Sequence, residues 1–224
     1  MRNSPDKHLD SSLFDNFDIM EDGAPNETLI RAKTVFKTLA DLIIEHNGSL
    51  GEPLIVWLQG MPWSWKSHLM DIMESIVKSQ GIPSVNGKSD RFLISQGRLR
   101  YEAANIVFSD DLFHWANSLA EVDDMRSDKW YYDLKSMPEF LFHIYDSKKI
   151  WIVSSNFPIK EILRLIWKKD TIWRLNDRIE HLLASVQPIE IIRKESYRKK
   201  LAKDWTRLTS IFSKAVEDAL IPNT

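Results

Sequence analysis

The chain has 224 residues, with 30 Lys and Arg, 32 Asp and Glu, and a formal net charge of -2. This length predicts one globular domain, and the near balance of charges excludes a broadly basic protein that coats nucleic acid. Cysteine is absent, which excludes disulfides and a cysteine-ligated metal, and the longest apolar runs are strand-sized, which argues against a membrane span. We expect a cytoplasmic protein in a reducing compartment, with no membrane partner.

The beginning of the chain predicts a leader followed by a helix and a strand. Residues 1–26 are rich in Ser, Asp, Asn and Pro with one short apolar patch, which is typical of a flexible leader with a docking point. From Glu27 onward apolar residues recur at helical spacing until an Asn-Gly pair supplies a stop signal. The run 54–58 is continuously apolar, as in a strand covered on both faces of a parallel sheet.

Helical and strand patterns then alternate along the chain. Further helices are predicted at 67–79, 129–145, 160–168, 172–185 and 195–220, and further strands at 92–95, 105–109, 150–154 and 189–192. This alternation predicts an α/β fold, a three-layer sandwich whose parallel sheet carries helices on both faces, with ligands at the carboxyl ends of the strands. The expected division is a leader at 1–26, a core at 27–194 and a basic C-terminal helix at 195–224.

A candidate phosphate-binding loop follows the first predicted strand. The pattern G-x-x-x-x-G-K-[ST] binds nucleotides because backbone N–H groups and a helix N-terminus surround the phosphates, the Lys reaches the outer phosphates and the hydroxyl binds Mg²⁺. Gly60, Lys66 and Ser67 match this pattern. The other residues of the candidate site are Met61, Pro62, Trp63, Ser64, Trp65 and His68. We therefore expect ATP and Mg²⁺ as ligands.

Polar residues follow two later predicted strands. Asp110 and Asp111 come after an apolar strand, an arrangement in which the first carboxylate holds Mg²⁺ and the second helps to activate water. Ser67 would be the other protein ligand of the metal. Asn156 follows the strand at 150–154 and is a candidate sensor of the γ-phosphate. Acidic residues after a strand are often only a solvated turn, but three such motifs in this order are much rarer by chance.

The motif order resembles that of AAA+ ATPases, in particular the group with the DnaC-type bacterial helicase loaders and the IstB transposition helpers, which is related to the initiator DnaA. The similar segments are the leader element at 13–17, the loop at 60–69, the Walker B motif at 110–112, sensor 1 at 154–158, the arginine box at 174–179 and the Ser-Tyr-Arg at 196–198. The resemblance implies a P-loop NTPase fold without a full lid domain, and hydrolysis of ATP to ADP and phosphate.

The resemblance also implies roles for arginines and several partners. In this group an arginine finger projects into the nucleotide site of the neighbouring subunit, and here it corresponds to Arg178, with Arg174 as the fallback. A surface ion pair with Asp170 or Asp177 is the alternative for either residue. Arg198 is implied as a nucleotide-binding residue. The implied protein is a homo-oligomeric replication helicase loader or transposition helper that contacts single-stranded DNA and a replicative helicase or a transposase.

Two tryptophans depart from the family pattern. Trp65 occupies the position before the lysine, where glycine is the rule, and Trp63 occupies another position that often carries glycine. Indoles there are expected to crowd the loop and weaken phosphate binding, which leaves a catalytically impaired scaffold as an alternative. Because glycine numbers only 7 and tryptophan 9, a second alternative is that UGA codons meant as glycine have been read as tryptophan. UGG codons at both positions would exclude it.

A viral replication helicase domain of superfamily 3 is a further alternative, since residues 154–156 also resemble that group's motif C. Those domains place a DNA-contacting hairpin between the acidic pair and the Asn, whereas the segment 129–145 predicts a helix here. The helical pattern favours the loader group. The six histidines show no paired helical spacing with carboxylates, so no metal site is assigned to them.

Overall fold

The computed structural model describes residues 11–62, 64–87, 98–112, 140–162, 164, 186 and 188–193. The elements are a 3-10 helix at Ser11–Asn16, β1 at Met20–Glu21, β2 at Ala24–Pro25, α1 at Glu27–Glu45, β3 at Leu54–Gly60, α2 at Lys66–Ser79, β4 at Ser84–Gly87, α3 at Arg98–Ala103, β5 at Ile106–Leu112, β6 at Ile150–Ser155 and β7 at Pro188–Ile191. Residues 140–146 and 159–162 are also helical. None of the helices within these ranges is long and apolar enough to cross a membrane.

A five-stranded parallel sheet forms the centre of the fold, with the strand order β4-β5-β6-β3-β7. β6 lies between β3 and β5, so the three strands that carry the candidate motifs are direct neighbours. Because all five strands run in the same direction, their carboxyl ends meet at one edge of the sheet. The predicted α/β class is confirmed, and the topology explains how motifs far apart in the sequence come together.

Buried side chains of the central strands alternate between the two faces of the sheet. Val56 and Leu58 belong to the apolar cluster that also contains the inner faces of α1 and α2. Trp57 and Trp151 contact each other edge to face with ring centroids 6.0 Å apart, and Phe140 of a helical segment lies 5.0 Å from Trp151. The continuous apolar sequence of β3 therefore reflects burial on both faces.

The described leader residues form secondary structure that lies on the core. Phe14 and Phe17, which belong to the expected docking patch, are buried in the same cluster as α1 and α2. The hairpin of β1 and β2 is joined to the end of β7 by a buried ion pair, in which Arg193 Nε lies 3.2 Å from a carboxylate oxygen of Glu21. The leader thus lies beside the first turn of α2.

Besides the 3-10 helix and the β1–β2 hairpin of the leader, the sequence patterns missed β4 and α3. β4 has only four residues and is polar in part, and it forms the edge of the sheet, where little apolar surface is needed. α3 has six residues, which is too short for a helical period to be recognised. The predictions outside the described residues are the strand at 92–95, the helices at 172–185 and 195–220, and parts of those at 129–145 and 160–168.

Candidate functional site

The loop after β3 surrounds the ammonium group of Lys66. Its Nζ, with three N–H donors, lies within hydrogen-bonding distance of four oxygens, the carbonyls of Gly60 (2.9 Å) and Met61 (2.7 Å), Ser64 Oγ (3.2 Å) and Asn156 Oδ1 (3.1 Å). Burial lowers the pKa of Lys66 to about 8, although the charges of Asp111 and Asp110 oppose the shift. The cation is held by neutral oxygens, so an anion that reaches it would gain a strong charge-assisted contact.

The N-terminus of α2 has no side-chain cap from its N-cap residue. Trp65 occupies the N-cap position, and its side chain makes no capping hydrogen bond. The first turn also contains no acidic residue. Uncapped N–H groups at a helix N-terminus attract anions through hydrogen bonding and the helix dipole. With Lys66 as the first residue of the helix, the two features form one anion-binding end.

Trp65 adopts the backbone conformation of a glycine but directs its ring toward the leader. Its φ of 70° and ψ of 4° are left-handed, a conformation that costs a side-chain-bearing residue roughly 1–2 kcal/mol. The indole centroid lies 5.7 Å from that of Phe17 and 5.3 Å from that of His68, and the Arg193 guanidinium lies 5.9 Å from it. These three contacts are on the leader side of the loop, whereas the sequence predicted that the indole crowds the loop and weakens phosphate binding.

His68, expected among the nucleotide-binding residues, belongs to the same aromatic group. Its ring stacks on that of Phe17 with centroids 5.6 Å apart and an angle of 19° between the planes. It follows Ser67 on the first turn of α2 and is exposed. The structure therefore places His68 between the loop and the leader.

The acidic pair lies within β5, where the sequence predicted it to follow the strand. The register of β5 against β6 shifts between Ser109 and Leu112. Asp110 and Asp111 therefore face a single residue of β6, Ser154. The backbone of Asp111 is left-handed, with φ 54°. This is a β-bulge, which turns successive side chains away from the regular alternation of a strand.

The hydroxyl of Ser67 and the carboxylate of Asp110 fit a Mg²⁺ site. Ser67 Oγ donates a hydrogen bond to Asp110 Oδ1 at 3.0 Å. Mg²⁺ prefers oxygen ligands and is usually held by one or two carboxylates together with phosphate oxygens and water. Among the described residues no group of three or more His, Cys, Asp or Glu is arranged to hold a metal. The pair therefore suits a metal that arrives with a phosphate ligand.

Asn156 connects the loop lysine to the second carboxylate. Its Oδ1 accepts the hydrogen bond from Lys66, and its Nδ2 donates to Asp111 Oδ1 at 3.1 Å. Because an ammonium only donates and a carboxylate only accepts, these two partners fix the orientation of the amide. The three motifs predicted at the strand ends are thus joined by direct hydrogen bonds at one edge of the sheet.

Some predicted site residues lie outside the described residues, namely Trp63, Arg174, Arg178 and Arg198. Met61 contributes its carbonyl while its side chain is exposed, and Pro62 is exposed as well. No individual role was predicted for Ser154, which lies in the sensor 1 segment, or for Arg193. A serine at the buried end of an apolar strand was the only signal for Ser154, and nothing local marked Arg193, since its partners come from the leader and the loop.

This sheet, its order of motifs and the loop define the P-loop NTPase fold of the AAA+ class. Neither a protein-family model nor a curated protein matches the sequence. Among solved structures, the DnaC helicase loader has a TM-score of 0.53 at 14% identity, covering 80% of this chain and 96% of that one. The DnaI structure has a TM-score of 0.53 at 15% identity, covering 80% and 87%.

A third structure of the same fold is AMPPCP-bound DnaA from Aquifex aeolicus, with a TM-score of 0.50 at 15% identity, covering 87% of this chain and 53% of that one. The present chain therefore spans about half the length of that DnaA structure. The predicted resemblance to the AAA+ loader and initiator group is confirmed at the level of fold.

Proposed function

We propose that this chain is an ATP-binding AAA+ protein that hydrolyses ATP with Mg²⁺ and acts as a replication helicase loader or a transposition helper. The observation that carries the proposal is the hydrogen-bonded convergence of a loop lysine, a hydroxyl–carboxylate pair and an oriented amide beside an uncapped helix N-terminus. Each of these groups matches one requirement of phosphoryl transfer, namely charge neutralisation, metal binding and orientation of water.

Each residue of the site has a separate role in the proposed reaction. Lys66 neutralises phosphate charge, after exchanging its loop carbonyls for phosphate oxygens. Ser67 and Asp110 hold Mg²⁺, which supplies further positive charge at the transferred phosphoryl group. Asp111 accepts a hydrogen bond from the attacking water, and Asn156 orients that water. Gly60 begins the loop because a Cβ there would collide with the carbonyl oxygen of a residue in β7.

Trp65 is compatible with a competent loop. Its backbone already has the left-handed conformation that glycine would supply, and its ring contacts lie toward the leader. The N–H groups of the first turn of α2 keep their direction whatever the side chain at the N-cap. These features support nucleotide binding by the sequence as it stands, in preference to an impaired scaffold. The DnaA structure of the same fold, which holds AMPPCP, supports a nucleotide ligand.

Calorimetric titration of ATP·Mg²⁺ together with a phosphate-release assay tests the proposal. Lys66→Ala should lower affinity at least tenfold and abolish turnover, because the phosphates lose their buried cation. Lys78→Ala is the matched control on the same helix, since that lysine is largely exposed and pairs only with Glu74 among the ion pairs found. Binding without turnover in the unmodified protein would favour the scaffold, and no binding at all would contradict the proposed function.

Homo-oligomerisation and the role of Arg178 belong to the same proposal. An arginine finger acts on a neighbour's site, so Arg178→Ala should keep ATP affinity within a few-fold and lower turnover about a hundredfold, or roughly 2.7 kcal/mol. Lys66→Ala and Arg178→Ala should each have little or no turnover alone. An equal mixture should regain about a quarter of the normal turnover, because a quarter of the interfaces then combine an intact lysine with an intact arginine. No recovery would place Arg178 in its own subunit's site or in the fold.

The partner proteins and DNA are proposed from the shared fold. A helicase loader is among the structures that share it, which supports a replicative helicase as the partner in preference to a transposase. Retention of the helicase on the immobilised protein, with ATP but not ADP, is the expected result. Single-stranded DNA binding should appear as a rise in fluorescence anisotropy that weakens with salt. Strand separation by this protein alone would favour the superfamily 3 alternative. We place this activity in the cytoplasm.

A further inference from the structure

A single buried hydroxyl contacts both acidic residues of the site. Ser154 is fully buried in β6. Its Oγ donates a hydrogen bond to Asp110 Oδ1 at 2.6 Å and accepts one from the backbone N–H of Asp111 at 2.8 Å. The donor and one acceptor position of the hydroxyl are therefore both used by the two residues of the bulge. The contact to Asp110 is shorter than that of Ser67 to the same oxygen (3.0 Å) and that of Asn156 to Asp111 (3.1 Å).

The bulge requires a partner of this kind. A bulged residue loses its regular place in the ladder of the sheet, so its part-buried N–H needs an acceptor from outside that ladder. Asp111 also has a left-handed backbone, which a residue with a side chain adopts only when its surroundings hold it there. The hydroxyl of Ser154 accepts the hydrogen bond of this N–H. It stands at the one position of β6 that faces both residues.

The same hydroxyl fixes the direction of the first carboxylate. Asp110 Oδ1 accepts hydrogen bonds from Ser67 on α2 and from Ser154 on β6. Two donors on separate rigid elements restrict rotation of the carboxylate and hold it beside the proposed metal ligand. The carboxylate of Asp111 instead accepts a hydrogen bond from Asn156 Nδ2. Ordered supporting groups of this type set the precision of a site built on strands.

We propose that Ser154 is a positioning residue whose hydroxyl holds the bulge of β5, so that Asp110 faces Ser67 and Asp111 faces Asn156. Its consequence for metal binding and turnover rests on the proposed function. The geometry itself is a property of the protein without ligands and is measured separately. Ser154 touches neither nucleotide nor water in this account and acts only through the two aspartates.

Ser154→Ala tests the proposal, with Ser155→Ala as the matched control. Ser155 is the next residue of β6 and is equally buried. Its hydroxyl donates to the Leu112 carbonyl at 3.0 Å and accepts from the Phe157 N–H at 3.1 Å. The control therefore removes a hydroxyl with the same number of hydrogen bonds from the same strand, without touching either acidic residue.

The first readout is hydrogen exchange at the Asp111 amide in the protein without ligand. Ser154→Ala should accelerate this exchange at least tenfold, and Ser155→Ala should leave it within about twofold. The second readout compares ATP affinity in EDTA with that in Mg²⁺. In EDTA, Ser154→Ala should bind ATP as tightly as the unmodified protein does. The factor by which Mg²⁺ increases ATP affinity should be at least tenfold smaller in the variant. In turnover, kcat should fall, and KM for ATP·Mg²⁺ should rise in step with the lost affinity.

Each outcome decides the proposal. Unchanged exchange in Ser154→Ala, or equal acceleration in both variants, would overturn it, because the hydroxyl would then be unnecessary or merely structural. If the unmodified protein binds no nucleotide, the proposed function fails while the exchange measurement still decides the role of Ser154. If Ser154→Ala does not fold, Ser154→Cys, with a weaker donor and acceptor of similar size, is judged by the same measurements and the same limits.

Discussion

Replacement of Trp65 by glycine and by alanine separates the two energies that the structure assigns to this residue. One is the cost of a left-handed backbone, which glycine removes and alanine keeps. The other is the packing of the indole against Phe17, His68 and the core, which both replacements lose. The two variants should therefore differ in free energy of unfolding by the backbone cost alone.

The magnitudes follow from the burial of the ring. A tryptophan side chain buries about 150–250 Å² when enclosed, and well over half of Trp65 is buried, so about 140 Å² is at stake. At about 25 cal/mol per Å² this is worth roughly 3.5 kcal/mol. Trp65→Ala should lose that amount. Trp65→Gly regains about 1 kcal/mol of backbone cost and should therefore be about 2.5 kcal/mol less stable than the unmodified protein.

Urea unfolding followed by circular dichroism measures the difference. With a slope near 2 kcal/mol/M, glycine at position 65 should raise the midpoint by about 0.5 M relative to alanine. The control is the same pair at Thr38, an exposed residue of α1, where alanine should be the more stable by about 1 kcal/mol. The reversed order at position 65 is the diagnostic result. If the alanine variant at position 65 were as stable as the glycine variant or more stable, the left-handed backbone would be refuted.

Three other perturbations follow from the same contacts. Lys66, with a pKa of about 8, is mostly charged at pH 7 and mostly neutral at pH 9. ATP affinity measured by calorimetric titration should therefore fall about tenfold between pH 7 and pH 9. An affinity that does not change with pH would contradict this. The folded-state pKa lies below the ordinary 10.5, so the stability contributed by this group should rise between pH 8 and 10.5 in urea unfolding. Glu21→Gln should lower the free energy of unfolding by about 3 kcal/mol, because the buried Arg193 cation loses its counter-charge. The double variant with Arg193→Met should be more stable than Glu21→Gln alone, and equal instability of the two would contradict this reasoning. Gly60→Ala should lower the thermal midpoint by several degrees, because its Cβ would collide with the Ile191 carbonyl oxygen, and an unchanged midpoint would show that β7 can move away.

Much of the fold could be predicted because its strands are buried on both faces. The apolar runs of β3 and β6 and the helical spacing of α1 and α2 are local signals, and each predicted an element that the structure contains. β4 lacks such a signal because it pairs through its backbone at the edge of the sheet. Strand order was not predictable either, since β6 enters between β3 and β5 from far along the chain.

The chemistry of the site could be predicted from residue types, while its geometry could not. Lys66, Asp110 and Asn156 each follow or end a recognisable strand, and parallel strands bring such residues to one edge. The direction of the Trp65 ring depends on Phe17, a leader residue whose place on α2 is a tertiary contact. A pattern that judges Trp65 only by its neighbours in the loop therefore assigned its bulk to the phosphate side.

Two residues near the candidate site have backbone conformations that are unusual for their residue types. Five described residues other than glycine have a positive φ, and three of them lie in turns, where such a conformation is ordinary. The other two are Trp65, at the N-terminus of α2, and Asp111, next to Asp110. Each is held by a tertiary contact, the indole by the leader and the Asp111 N–H by Ser154. Strain of this kind persists only where the surroundings overdetermine it, and here both instances lie beside groups of the proposed site. Trp65 was recognisable because a known pattern asks for glycine at its position, whereas no pattern marks Asp111, whose conformation arises from the register between two strands.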